Sequence, residues 1–124
     1  MIQLLVRLTA ASGHSPELVQ ALQPLAHRAT QSAGCRGAHL AADVSDPCEF
    51  WYCEEWDDVP ALEAKLRSES FTDFLALAET SVSRPLIEFR VIQESRGLDY
   101  VSAVRGGQEY GREAGDVDRE RRGP

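Results

Sequence analysis

The chain of 124 residues has a single lysine, Lys65, beside twelve arginines, and only 7% of its residues are aromatic. It lacks internal repeats, low-complexity runs and the glycine-rich loops that cradle phosphates, which argues against repeat architectures and nucleotide-binding sites of the P-loop or Rossmann type. Its three cysteines and three histidines show no metal-ligand spacing. We expect reduced, unbridged thiols in the cytoplasm, and neither a metal nor another cofactor.

The chain also lacks excess positive charge, since 13 basic residues stand against 20 acidic ones and the net charge is −7. Nucleic acid and anionic membranes are therefore not expected partners. The apolar stretch from Met1 to Ala11 has no basic leader and is interrupted by Arg7, so it predicts neither a signal peptide nor a membrane span. The scarcity of lysine beside arginine and alanine indicates a GC-rich bacterial genome.

Hydrophobic periodicity predicts the element order β-α-β-β-α-β. The first helix should begin with Ser15 as its cap and stop at Gly34, with a kink at Pro24. The second helical region should start at Asp57 or Asp58 and break for a fresh cap within residues 68–70. Strands with period-two alternation or aromatic enrichment are predicted over residues 2–9, 38–44, 49–56 and 86–92.

This order is the split βαβ arrangement of ferredoxin-like folds, an α+β class with a four-stranded antiparallel sheet. We expect one domain over residues 1–94 and a C-terminal extension over 95–124. Within the extension, residues 98–104 are either a fifth short strand or a docking segment. Residues 106–124 have no hydrophobic period and are predicted to be a flexible charged tail.

Both faces of the predicted sheet carry large apolar side chains, but the helices can cover only one of them. On the third strand, Phe50 and Tyr52 share one face, while Trp51 and Cys53 share the other. Leaving Trp51 and its neighbours in water would forfeit several kcal/mol of burial, at about 25 cal/mol per Å². A second copy of the sheet is the simplest cover, so we predict a homodimer packed sheet against sheet.

An aromatic strand that ends in Glu-x-Trp, here Glu54-Glu55-Trp56, is followed by two helical motifs, Ala61-Leu62 with Leu66 and Ser68-Glu69-Ser70-Phe71. Gly34-Cys35 lies before the second strand, at the exit of the first helix. In these features the chain, above all its segment 49–84, resembles the antibiotic biosynthesis monooxygenase (ABM) family, and the resemblance extends over about residues 1–93.

The resemblance implies a dimeric α/β barrel and, for many members, oxygenation of polyketide anthrones or quinols without a cofactor. Polyketide-type members place an Asn and a Tyr where this chain has Tyr52 and Leu62. Haem-degrading members use a first-strand Asn, a Trp that Trp56 matches, and a His on the last helix. Here the first strand has no Asn, and no His follows His39, so haem degradation is the least favoured reading.

A cofactor-free oxygenase must bind a flat aromatic, remove water, assist loss of a proton and stabilise an oxyanion. The sequence predicts an apolar substrate pocket beneath one strand face. Trp56 either stacks on the ligand or anchors the core, and Tyr52 either donates to a phenolate or simply packs. Glu54 serves as a base, pairs with an arginine such as Arg7 or Arg90, or caps a neighbouring turn. The predicted pocket walls are Val6, Trp56, Phe71 and Phe74.

His39 completes the predicted catalytic set with Tyr52 and Glu54, because a histidine titrates near neutral pH and can move protons. A strand histidine is otherwise a packing or interface residue, and its face depends on the register. The sequence therefore predicts a cofactor-independent monooxygenase for a small hydrophobic aromatic, quinol or polyketide-type metabolite. The alternative is a non-catalytic small-molecule binding or assembly module of the same fold.

Overall fold

The computed structural model describes residues 1–107 and has a four-stranded antiparallel sheet with four helices. The strand order is β2-β3-β1-β4, with every neighbouring pair antiparallel. This topology confirms the ferredoxin-like prediction. The elements are β1 (Ile2–Thr9), α1 (Ser15–Thr30), β2 (Cys35–Ala42), β3 (Glu49–Trp56), α2 (Val59–Leu66), α3 (Glu69–Ala78), β4 (Leu86–Val91) and α4 (Leu98–Val104).

Two compact units divide the chain, one from Met1 to Ile92 and one from Gln93 onward. The sheet and helices α1 to α3 belong to the first unit, and α4 belongs to the second. The predicted charged tail starts at residue 106, and beyond residue 107 it lies outside the described residues.

The structure corrects the strand alternative for residues 98–104, which form helix α4. The amide of Arg105 donates to the carbonyl of Val101 at 2.9 Å, as in a helical turn. Leu98, Val101 and Val104 recur three residues apart, a helical rather than a strand spacing.

The start of α1 also differs from the prediction. His14 occupies the N-cap, and no side chain caps the helix there. Ser15 is already helical, and its hydroxyl donates instead to the carbonyl of Pro47 at 2.9 Å. Pro24 is accommodated inside a helix that continues to Thr30.

The second helical region divides as predicted, because one serine serves both helices. The Ser68 hydroxyl donates to the carbonyl of Lys65 at 2.6 Å at the end of α2. The same oxygen accepts from the amide of Phe71 at 3.2 Å, which caps α3. At the other end of α2, the Asp58 carboxylate accepts from the amide of Ala61 at 3.0 Å, so the predicted aspartate cap is confirmed.

The helices cover one face of the sheet, the inner face, but do not reach its β4 edge. Val6 and Tyr52 are paired in the register and buried on this face. Phe89 pairs with Leu4 on the same face yet remains 49% exposed. Helices α1 to α3 leave the opposite, outer face of the sheet uncovered, and Trp51 there is half-buried beneath the Arg7 guanidinium, 5.6 Å from the ring centroid.

Gly34 lies in the connection between α1 and β2, next to Ala61 of α2. Its φ is +84°, and a Cβ built on it would lie 2.5 Å from the Cβ of Ala61. Gly13 has a similar φ of +81° with nothing within 4 Å of its Cβ position. A comparison of alanine substitutions at the two glycines therefore distinguishes backbone strain from steric overlap with α2.

We expect Gly13→Ala to lower the free energy of unfolding by about 1 kcal/mol, because a left-handed φ is strained for any residue with a Cβ. Gly34→Ala should cost a further 1–3 kcal/mol or so, since α2 must also shift. Urea unfolding of both variants measures the difference. Equal losses would show that α2 does not constrain Gly34.

Candidate functional site

A buried carboxylate lies at the centre of the candidate site. Glu54 is 2% exposed on the inner face of β3. The indole Nε1 of Trp56 donates to its Oε1 at 3.1 Å, and the phenol of Tyr52 donates to its Oε2 through a short hydrogen bond. The Lys65 ammonium lies 3.8 Å from the same Oε2. Three side chains therefore satisfy one carboxylate inside an apolar core.

Strand periodicity places three members of this cluster together. Residues two apart on a strand face the same side, so Tyr52, Glu54 and Trp56 all lie on the inner face of β3. Helix α2 supplies the fourth member, because Leu62 and Lys65 are one turn apart and both are buried. The ammonium also donates to the Ser70 hydroxyl at 2.9 Å, which connects the cluster to α3.

Aromatic rings enclose the phenol end of the cluster. The rings of Tyr52 and Phe74 are 5.2 Å apart between centroids, and Phe71 stacks on Phe74 at 5.7 Å. Burial, followed by the nearby charge of Glu54, raises the pKa of the Tyr52 phenol far above its ordinary value. Tyr52 therefore remains a neutral donor to Glu54 and is not a base.

A cavity of about 230 Å³ adjoins the charged end of the cluster. Trp56 and Lys65 contribute to its wall, and the exposed residues Ala33 and Ala64 mark where it meets solvent. The remaining lining residues are Ser32, Ala61, Ser68 and Ser70. It is smaller than the 300–1,000 Å³ or so typical of drug-sized ligand sites, so its volume suits one ring or two fused rings.

The structure brings most of the predicted site residues together, but only one of them lines the cavity. Trp56 alone among them lines this cavity, while Tyr52 and Glu54 lie behind it. The predicted wall residues Val6, Phe71 and Phe74 are buried in the main hydrophobic core. They support the cluster from the core side and do not line the cavity.

His39 is not part of the cluster. It pairs with Cys53 in the sheet register and is exposed on the outer face. Burial, followed by the charges of Glu55 and Glu54, raises the pKa of the Cys53 thiol, so this cysteine is a poor nucleophile. The outer face thus contributes no chemistry to the cavity beside Trp56.

Sequence reasoning offered an arginine such as Arg7 or Arg90 as one possible partner of Glu54 and missed Lys65. In the structure Arg7 lies 3.6 Å from Glu49, and Arg90 lies 2.9 Å from Glu88. The missed signal was the position of the only lysine of the chain, one turn after Leu62 on the apolar side of α2. A charged residue on that stripe is rarely buried unless it is paired.

A second cavity, of about 330 Å³, lies at the opposite end of β1. Its lining includes Thr9, His14, Leu18 and Leu77. None of the polar residues that line it is buried. The cavity beside Trp56 is therefore the one connected to the buried charges.

The sequence matches the family model named antibiotic biosynthesis monooxygenase over residues 1–77. The chain belongs to this family. The resemblance read from the aromatic strand and the two helical motifs is thereby confirmed. Among proteins of curated function, none matches the chain significantly.

Solved structures agree with this ABM assignment. A candidate antibiotic biosynthesis monooxygenase from Deinococcus radiodurans is similar with a TM-score of 0.70 and 26% identity, over 78% of this chain and 97% of that one. A Pseudomonas aeruginosa protein has a TM-score of 0.65 and 29% identity, over 75% and 94%. A candidate monooxygenase from Nitrosomonas europaea, at 10% identity and a TM-score of 0.68 over 76% and 100%, shares the fold.

We expect Lys65→Met to lower the free energy of unfolding by about 3 kcal/mol or more, because it leaves the Glu54 carboxylate buried without its counter-charge. The double variant Glu54→Gln/Lys65→Met should recover at least half of that loss, since no buried charge remains. Urea unfolding at neutral pH measures both.

The matched control is Arg28→Met, which breaks an exposed ion pair with Asp73 of 3.0 Å. It should cost at most about 1 kcal/mol, because solvent screens such pairs. A loss for Lys65→Met no larger than the loss for Arg28→Met would contradict the buried pair.

Proposed function

We propose that the protein is a cofactor-independent monooxygenase acting on a hydrophobic aromatic, quinol or polyketide-type metabolite. Membership of the ABM family supports the reaction class. The observation that carries the proposal is the cavity of about 230 Å³ whose lining residues include both Trp56 and Lys65. An aromatic wall and one buried charge suit a flat ligand that ionises.

The chemistry needs few protein groups. An enolisable ring loses a proton, and its anion donates an electron to O₂ before carbon and oxygen combine. When a ring CH₂ becomes C=O, one oxygen atom enters the product and the other leaves as water. The substrate supplies all four electrons, so no external reductant is required. The protein binds the ring, excludes water and stabilises the anion.

The cluster assigns distinct roles to the predicted residues. Trp56 holds the ring, while Tyr52 and Glu54 act as positioning residues through their hydrogen bonds to each other and to the indole. The volume of the cavity favours a ligand of one or two fused rings over a larger polyketide. His39 has no part in this proposal, because it lies on the outer face.

A non-catalytic binding module is the second candidate, and one observation favours it. The phenol of Tyr52 and the indole N–H of Trp56 both donate to Glu54, so neither is available to a ligand in this conformation. Haem degradation has the least support, since β1 contains no asparagine and α3 no histidine.

Oxygen uptake under air with a naphthoquinol, which has the two fused rings that the cavity favours, tests the proposal. We expect a rate above the buffer blank, and a roughly tenfold or greater fall in turnover for Trp56→Phe and Tyr52→Phe because both support the ring site. Tyr100→Phe, on exposed helix α4, is the matched control and should leave turnover unchanged.

Unchanged kinetics in both site variants would remove the assignment of Trp56 and Tyr52. No uptake with retained ligand binding would favour the binding module, and a Soret shift on haem titration would favour the haem-degrading reading.

The homodimer and a cytoplasmic location are further parts of the proposal. The outer face of the sheet is open and presents half-buried Leu5, Trp51 and Leu86 in adjacent strands. The cysteines are unbridged, which suits a reducing compartment. Within residues 1–107, no helix has the length and apolar character of a membrane-spanning segment.

We expect sedimentation equilibrium to show a dimer at micromolar concentration. Trp51→Glu should shift the protein toward monomer, because a carboxylate would be buried between the two sheets. Val44→Glu is the control, since Val44 is fully exposed in the β2–β3 turn. A native monomer, or equal effects of both variants, would refute packing through the outer face.

A further inference from the structure

Lys65 is the cationic group in the cavity beside Trp56. Its side chain is 3% exposed, and an ammonium has three N–H donors. Among the described residues it donates one hydrogen bond, to Ser70 at 2.9 Å. Its 3.8 Å contact with Glu54 is an ion pair longer than a hydrogen bond. The ammonium therefore retains donor capacity at the cavity wall.

The three serines of the cavity differ in what they can offer a ligand. The Ser68 hydroxyl donates to the carbonyl of Lys65, and the Ser32 hydroxyl donates to the carbonyl of Arg28 at 3.2 Å. The Ser70 oxygen accepts from Lys65, so its own O–H proton remains available. Lys65 and Ser70 are thus adjacent donors on the same wall.

We propose that Lys65 and Ser70 bind the anionic oxygen of a phenolate or enolate ligand, whose ring lies against Trp56. This inference rests on the proposed function, which supplies the identity of the ligand: the anion is the species that reacts with O₂. On binding, the phenol or enol O–H bond breaks, its electron pair remains on oxygen, and the proton passes to solvent at the cavity mouth beside Ala33 and Ala64.

Electrostatics decides how strongly the site favours the anion. An opposite charge within about 4–6 Å lowers the pKa of an acid by 1–3 units, and solvent screens the Lys65 charge only weakly because its side chain is 3% exposed. The titratable groups around Lys65 are Glu54 and Tyr52 on β3 and Cys35 on β2, whose thiol has a pKa raised by burial. Glu54 repels a second anion and Lys65 attracts it, so the two residues should act in opposite directions.

The probe is 4-nitrophenol, a single-ring phenol whose absorbance changes on ionisation. Its pH titration is followed with the full-length protein in excess, at concentrations raised until the change saturates. We expect the pH at which half of the bound ligand is ionised to lie about one pH unit or more below the corresponding pH for free ligand. A bound midpoint equal to the free one, or no saturable change, overturns the proposal.

Substitutions distinguish the effect of the buried charges on the ligand from the effect of the shape of the cavity. Glu54→Gln/Lys65→Met removes both buried charges together, so it tests the site even where Lys65→Met alone fails to fold. It should abolish the downward shift of the midpoint, and Ser70→Ala should reduce it. Glu54→Gln alone should enlarge the shift, because the competing carboxylate is gone. A shift that persists in the double variant overturns the proposal.

The neutral ether 4-nitroanisole controls for the shape of the cavity. Its dissociation constant, measured by equilibrium dialysis, should differ less than about twofold between the native protein and the double variant. The loss of a charged contact would instead change a dissociation constant about tenfold. Loss of 4-nitroanisole binding in the double variant counts against the proposal, because the cavity itself would then depend on the pair.

Oxygen uptake is measured separately, so the two proposals can fail independently. A midpoint shift without oxygen uptake would refute the oxygenase and leave the anion site intact. Oxygen uptake without a midpoint shift would do the reverse.

Discussion

The structure around the candidate site depends on one requirement, that the carboxylate of Glu54 be satisfied although it is 2% exposed. An isolated charge in such surroundings is strongly unfavourable. The solution draws on β3 for Tyr52 and Trp56 and on α2 for Lys65. Because these donors come from a strand and a helix, the requirement fixes how α2 lies against the sheet.

The polar groups of the cluster differ from those that the family resemblance implies. That resemblance places an Asn and a Tyr, in polyketide-type members, where this chain has Tyr52 and Leu62. Here Tyr52 donates to Glu54, and Leu62 packs with Trp56 in a second small core beside Ile2. Trp56 matches the tryptophan of that pattern, and the polar groups around it belong to β3 and α2.

Local sequence signals supported the fold prediction, and they failed where contacts between residues remote in sequence decided the outcome. The alternation on β3 and the caps at Asp58 and Ser68 act within a few residues, so they could be recognised without coordinates. At Ser15, a nearby carbonyl competed for the hydroxyl that would have capped α1. The face of His39 depended on a bulge between Cys35 and Gly37, which no single-strand pattern reveals.

The sequence alone determined the order of strands and helices, the inner face of β3 and the family, because periodicity, capping and short motifs are properties of neighbouring residues. Only the tertiary structure decided that Lys65, rather than an arginine, meets Glu54, and that a cavity opens beside Trp56. Both depend on where α2 crosses β3, a distance set by packing at Gly34 and Ala61. Contacts between elements remote in sequence have no local pattern from which they can be read.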